Sequence, residues 1–339
     1  MTDARKIGIL GAGSWGTAMG QVLARNGHGV TLWSHDPEVA GGIRTGARNE
    51  KYLPGIDLAP TLHATPDLEA SLAGAEVVIC ATPSHAVREV FGEARAHLPG
   101  PALLVSGTKG IEDGTGLRMS QVIHEVLGDG ASAGDGLVVF SGPSFAEEVA
   151  KGLPTAVAAA SADPDAARRC QELFQNEHLR VYTQPDVVGT ELGGALKNVI
   201  ALAAGISDGL GLGNNARAAL LTRGLAEMAR LVVEMGGREA TLSGLAGVGD
   251  LVLTCTGDLS RNRRTGLAIG RGAGLEEAME EVEEVVEGVR TTRAARELAR
   301  RHGVEMPIVD AVYSILHEGV GPRAALAELM AREPKPERW

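Results

Sequence analysis

Residues 6–16 read KIGILGAGSWG, and no other stretch narrows the possible folds as much. Lys6–Leu10 is a short apolar run suited to a buried strand, and glycines follow at 11, 13 and 16. In the order strand, G-x-G-x-x-G, helix, each glycine has its own task. Gly11 permits a tight turn, Gly13 lets the backbone approach a pyrophosphate, and Gly16 lets the helix pack closely on the strand. The N-terminus of the following helix then faces the phosphates. Alone, the motif also fits a glycine-rich turn that binds nothing. Its meaning depends on a βαβ pattern beyond it.

That pattern is present. Residues 29–33, 77–81, 102–106 and 137–141 read as further buried strands, with helices at 17–26, 85–96 and 117–127. Such alternation predicts a mostly parallel sheet wrapped by helices. Residues 155–160 and 179–183 read as two more strands, with a helix near 165–174 between them. After Gln184-Pro185 the strand signals stop, and from Glu191 onward the chain reads as helices joined by glycine-rich loops. The expected class is α/β: an N-terminal Rossmann-type doubly wound sheet over residues 1–188, then an all-α C-terminal domain over 189–339. The 339 residues suffice for two such domains.

Charge excludes some partners. A formal net charge of -11 makes nucleic acid or an anionic membrane surface a poor fit. Phosphate must then be held by helix N-termini, backbone N–H groups and a few placed cations. Cys80, Cys170 and Cys255 form no C-x-x-C and read as reduced, buried thiols of a cytoplasmic protein. No Cys/His spacing points to a metal site. No apolar run is expected to reach the length of a membrane span. The N-terminal apolar segment is short and broken by glycines, so it fits strand, turn and helix better than a signal peptide.

Lys197 is the most informative single residue. Between Glu191 and Asp208 it is the only charge, in a run of small and apolar residues with helical character. Leu196, Val199, Ile200 and Ala203 share one face, and Gly193 and Gly194 allow close approach. Burial and nearby cations lower a lysine's pKa, so such a residue exchanges protons near neutral pH. The alternative is a lysine that threads its head to water.

Four more segments look like loops at element ends. They are ATPSHAVR (81–88), GTKGIE (107–112), SGPSFAEEVAKGLPTA (141–156) and GVGDLVLTCTGDLSRNRRTG (247–266). The first three follow strands at carboxyl ends, where open α/β sheets bind ligands. Lys109 lies between glycines there, and Ser144 is expected to head a helix that begins after Pro143, its backbone turned to an anion. Ser260 to Arg264, SRNRR, is the densest cationic segment in the acidic chain, with a solvated helix face as its alternative. At the end of the second strand, Trp33, Ser34 and His35 stand where an NAD-selective site usually places a carboxylate. Asp36 lies past the expected strand end, and no Arg lies between Arg25 and Arg44. Either NADP or NAD is therefore compatible with this end.

Together these segments resemble the bacterial-type NAD(P)-dependent glycerol-3-phosphate dehydrogenase family. The matching stretches run in order from residue 11 to 292: GAGSWGTA, ATPSHAVR, GTKGIE, SGPSFAEEV, ELGGALKNVIALAAGISDGLGLGNNARAAL, GDLVLTCTGDLSRNRR and EGVRTT. The resemblance implies reduction of dihydroxyacetone phosphate to sn-glycerol 3-phosphate, for glycerophospholipid synthesis. By residue, it implies Lys197 as the proton-transfer lysine and Lys109 as a lysine meeting both substrate and cofactor. It implies Gly142, Ser144, Asp250, Ser260, Arg261 and Asn262 at the substrate. Beside Gly11, Gly13 and Gly16 of the glycine motif, it places Ser14, Trp15, His35, Ala146, Arg261, Val285 and Glu287 at the cofactor. Glu287 ends a run of seven glutamates between 276 and 287; the others read as a solvated face. A homodimer is the expected assembly. The rival readings are another reductase of the same architecture, acting on a small keto or hydroxy compound, and a nucleotide sensor without turnover.

Overall fold

The structure, a computed structural model, describes residues 3–128, 136–282, 285–334 and 336–337. Among the described residues, eight strands form one sheet: β1 (Lys6–Leu10), β2 (Gly29–Trp33), β3 (Leu62–Thr65), β4 (Val77–Cys80), β5 (Leu103–Ser106), β6 (Val138–Ser141), β7 (Thr155–Ala160) and β8 (Leu179–Gln184). Their order is β3-β2-β1-β4-β5-β6-β7-β8. All neighbours are parallel except β6 and β7, which are antiparallel. From β1 the chain builds outward on one side to β3, then returns beside β1 and builds outward on the other. That reversal between β1 and β4 opens a crevice at the strands' carboxyl ends.

The helices between strands are α1 (Ser14–Arg25), α2 (Pro37–Gly46), α3 (Leu68–Leu72), α4 (Val87–Ala94), α5 (Met119–Leu127), α6 (Ala146–Lys151) and α7 (Pro164–Phe174). They cover both faces of the sheet, and β4, β5 and β6 are buried at every position. Alternation divides the sheet's apolar residues between two cores. Ile7, Ile9, Val30, Leu32 and Phe140 pack on one face, and Leu10, Val78, Leu104 and Val139 on the other. β3 was not expected from sequence. Its four residues, LHAT, hold an edge position with His63 exposed, so it shows no continuous apolar run.

The rest is helical among the described residues: α8 (Val187–Gly209), α9 (Gly213–Glu234), α10 (Glu239–Leu242), α11 (Asp250–Thr256), α12 (Arg261–Arg271), α13 (Leu275–Glu280), α14 (Glu287–Arg301), α15 (Pro307–His317) and α16 (Pro322–Met330). Contrary to the expectation from sequence, α8 is long and apolar enough to cross a membrane by length and composition. However, 89% of its apolar window is buried inside the protein, which makes it the core helix of this half. Of the acidic run, Glu276, Glu277, Glu280 and Glu281 are exposed; Glu283 and Glu284 lie outside the described residues.

Two features of α8 position the site. A Cβ at Gly205 would lie 2.1 Å from the Arg263 carbonyl oxygen, and one at Gly266 would lie 2.2 Å from the Leu202 carbonyl oxygen. α8 and α12 therefore meet backbone to backbone. Near its start, α8 is tied to the sheet domain by buried Glu191. That carboxylate accepts from the Ser120 backbone N–H at 2.7 Å, from the Ser120 hydroxyl at 2.6 Å and from the Arg118 guanidinium.

Candidate active site

The glycine turn is shaped for a ligand. Gly11 has φ +116°, and a Cβ there would strike the Ala81 carbonyl oxygen at 2.8 Å. A Cβ at Gly16 would stand 1.9 Å from the Gly11 carbonyl oxygen, so α1 presses on the turn. At Gly13, the residue that precedes the first turn of α1, nothing lies within 4 Å of the same position. Ser14 is the first residue of that helix. Trp15 stacks on Phe140 at 6.4 Å, and its buried Nε1 has no hydrogen-bond partner among the described residues. An open backbone surface at a helix N-terminus, with an orphaned donor beside it, fits a dinucleotide.

At the β2 end the structure departs from the sequence reading in two ways. Ser34 is buried, and its hydroxyl oxygen accepts from the Asp36 N–H at 3.3 Å. Of the residues that stand in place of a carboxylate, Ser34 is therefore closed off from solvent, whereas His35 is exposed. Asp36 caps α2 through the Glu38 N–H at 2.9 Å and pairs with Lys51 at 2.8 Å. The Lys51 hydrogen bond, followed by the Glu38 amide, holds the Asp36 carboxyl below the usual range. A cation thus stands at the strand end although no Arg lies nearby in sequence.

The densest chemistry lies between β6, α8 and α11. Asp250 opens α11 and is 1% exposed. Its Oδ1 accepts from Lys197 Nζ at 2.5 Å and its Oδ2 from Lys109 Nζ at 2.6 Å. Lys109 also donates to the Gly142 carbonyl at 3.1 Å. Lys197 also donates to Thr254 Oγ1 at 2.8 Å, and that hydroxyl donates to the Asp250 carbonyl at 2.7 Å. Sequence reading missed Thr254. Its signal was the i+4 spacing from Asp250, which puts both on one helix face. Gly194 gives Lys109 its room, since a Cβ there would sit 3.5 Å from Lys109 Cγ and 2.8 Å from Ser141 Oγ.

Electrostatics follow from this packing. Burial lowers the Lys197 pKa to about 8, with Lys109 pushing the same way and Asp250 opposing. Burial alone would raise the Asp250 carboxyl, but Lys109 and Lys197 hold it below the usual carboxylate range.

The other expected residues fall around this cluster. Ser144 does not head a helix: α6 starts at Ala146 after an extended Phe145, and the Ser144 hydroxyl donates to the Gly142 carbonyl at 2.9 Å. Ser260 caps α12 by accepting from the Arg263 N–H at 3.2 Å, and Arg261 is half-buried at the first helical position. Asn262 is buried; its amide donates to Asn198 Oδ1 at 3.1 Å and accepts from the Gly288 N–H at 2.8 Å. The cationic run is not one patch. Arg263 is committed to Asp208 and Asp258, both at 2.9 Å, while Arg264 is exposed. Val285 is exposed, and Glu287 opens α14 with its carboxylate on Ser84.

Comparison with known proteins places the chain in a family. A family model described as NAD-dependent glycerol-3-phosphate dehydrogenase N-terminus matches residues 6–167, and the corresponding C-terminus model matches residues 186–327. The chain is 53% identical over 329 residues to glycerol-3-phosphate dehydrogenase [NAD(P)+] of Anaeromyxobacter dehalogenans, covering 97% of this chain and 98% of that protein. To the protein of the same name from Geobacter sulfurreducens it is 51% identical over 336 residues, covering 99% and 100%. The crystal structure of glycerol-3-phosphate dehydrogenase from Coxiella burnetii superposes with a TM-score of 0.92 at 44% identity, covering 97% and 99% of the two chains. With both family halves matched in order and relatives aligned along nearly the whole length, the chain belongs to the NAD-dependent glycerol-3-phosphate dehydrogenase family.

Proposed function

We propose that this protein interconverts dihydroxyacetone phosphate and sn-glycerol 3-phosphate with NADP or NAD, supplying sn-glycerol 3-phosphate for glycerophospholipid synthesis. The observation that carries this reading is the pair of lysines on one buried carboxylate. It supplies a proton donor with a pKa near neutrality beside a second, fixed cation.

When bound, the reduced nicotinamide supplies the hydride that the ketone carbon accepts. Gly11, Gly13, Ser14, Trp15, Gly16 and His35 would hold the nucleotide. Ala146, Arg261, Val285 and Glu287 would add further contacts to it. The ammonium of Lys197 meets the negative charge that develops on the carbonyl oxygen and donates its proton there. In the oxidative direction the neutral amine of Lys197 takes the hydroxyl proton. Lys109 adds a cation near the same oxygen, and Asp250 fixes both ammonium groups and offsets their repulsion. Gly142 and Ser144 border the substrate. Ser260, Arg261 and Asn262 take the phosphate, Arg261 with its fork of donors and α12 with its N-terminal amides.

In this reading residues 1–188 form the nucleotide domain and 189–339 the substrate domain; the last strand ending at Gln184 and α8 starting at Val187 support it. The working form is taken as a cytoplasmic homodimer. Three free, buried cysteines suit a reducing compartment, and sedimentation would test the assembly.

The test is absorbance at the reduced-nicotinamide band with NADH or NADPH and dihydroxyacetone phosphate, with unphosphorylated dihydroxyacetone as control. Turnover should require the phosphate. Binding without oxidation on either ketone would instead support a nucleotide sensor.

A further inference from the structure

We propose that Ser84 is a positioning residue, which fixes the Glu287 carboxylate and thereby holds the cofactor end and the substrate end of the site on one hydrogen-bonded chain. The proposal rests on the reading of Glu287 as a cofactor contact. Ser84 follows β4 in a single helical turn, Ser84–Ala86, and is 4% exposed. Its backbone N–H donates to Glu287 Oε1 at 3.1 Å and its hydroxyl to Glu287 Oε2 at 2.6 Å. Both oxygens of one carboxylate are thus held by one residue from the other half of the protein. Ser84 is also wedged against the loop that carries Lys109. A Cβ at Gly110 would lie 2.4 Å from Ser84 Cβ and 3.5 Å from Glu287 Oε2.

The chain continues beyond the carboxylate. α14 has no side-chain cap from Val286, and the amide of Gly288 in its first turn goes to Asn262 Oδ1 at 2.8 Å. Asn262 in turn donates to Asn198, the neighbour of Lys197, at 3.1 Å. There is little slack in these links: a Cβ at Gly288 would stand 2.5 Å from Asn262 Oδ1 and 2.7 Å from the Asn198 carbonyl oxygen. Moving Glu287 therefore moves the first turn of α14, and with it the amide of Asn262. A bidentate grip removes rotamer freedom that the Glu287 side chain would otherwise lose on binding cofactor.

The test is calorimetric titration of NADPH into the wild type, Ser84→Ala, Glu287→Ala and the double variant, with dihydroxyacetone phosphate kinetics alongside. Ser84→Ala should weaken NADPH about tenfold, within the range for a hydrogen bond to a charged group. It should raise the KM for dihydroxyacetone phosphate while leaving kcat within about twofold, because no group that meets the reacting atoms is removed. The double variant should bind NADPH no worse than Glu287→Ala alone, since Ser84 acts through that carboxylate. Ser84→Cys, with a weak donor, should fall between wild type and Ser84→Ala, and it serves in place of Ser84→Ala if that variant does not fold. Wild-type affinity in Ser84→Ala with a weakened Glu287→Ala would overturn the proposal, as would additive losses in the double variant. Wild-type affinity in Glu287→Ala would instead overturn the reading of Glu287 beneath it.

Discussion

Lys197 and Asp250 face each other across 2.5 Å in a site almost closed to water, with Lys109 on the second oxygen of the same carboxylate. This explains how a cation survives in the apolar middle of α8 without threading to the surface. It also leaves Asp250 paired when Lys197 is removed, so chemistry and folding can be separated by substitution.

Lys197→Ala should lower turnover by about two to four orders of magnitude, the usual loss for a positioned acid or base. Asp250 keeps Lys109, so the variant should still fold, which circular dichroism would report. Near-wild-type turnover in a folded variant would end the assignment.

The pKa of about 8 at Lys197 sets opposite pH trends for the two directions. Reduction needs the ammonium and should fall as pH rises through about 8. Oxidation needs the amine and should rise through the same region. Asp250 is the group that raises this pKa. Asp250→Asn should therefore move both limbs to lower pH, as rate profiles at saturating substrate would show. Limbs that stay in place would separate the titration from Lys197.

Arg261→Ala should weaken dihydroxyacetone phosphate about ten- to a hundredfold, the effect of losing a charged hydrogen-bond partner. The unphosphorylated ketone should be little affected. Equal losses for both substrates would remove Arg261 from the phosphate site.

Both cofactors should support turnover, with NADPH at least as good as NADH. The cation at the β2 end is Lys51, held by Asp36. Lys51→Glu should penalise NADPH selectively by about tenfold, because a carboxylate pair would then face a 2′-phosphate. A wild type that discriminates a hundredfold or more against NADPH would show that Asp36 reaches the ribose.

Glu227, buried on α9, caps α15 by accepting from the Ile308 N–H at 2.9 Å and, more weakly, the Val309 N–H at 3.4 Å. Burial raises its carboxyl from 4.5 to about 7, against the pull of those amides. The folded state therefore holds a proton that the unfolded chain releases. This contribution is complete below about 4.5 and is lost as pH rises through about 7. At about 1.4 kcal/mol per unit it is on the order of 3 kcal/mol. Glu227→Gln should flatten the fall in Tm across that window, and an unchanged slope would place the titration elsewhere.

The sheet was legible wherever strands were buried on both faces, because VVIC or VVFS leaves little alternative to an interior strand. LHAT at the edge lacked that signal. Lys197 stood out as a lone charge, and its neighbours in the family motifs pointed to Lys109 and Asp250. What remained hidden needed the third dimension. Lys51 reaches Asp36 from fifteen positions away, Ser84 meets Glu287 across 203 positions, and Thr254 meets Lys197 across 57. Ser144 misled because Phe145 stays extended and delays the helix that Pro143 was expected to start.

The seam at Gly205 and Gly266 gives the proposed site a fixed gauge. Side chains elsewhere can rotate to admit a longer or shorter ligand, but two backbones in contact have nothing to rotate. Lys197 and Arg261 ride on those backbones, so the main chain sets the span between the points from which the proposed proton donor and phosphate grip extend. Redesign for a ligand one carbon longer would have to begin at the ends of that span, since any side chain added at the seam would drive α8 and α12 apart.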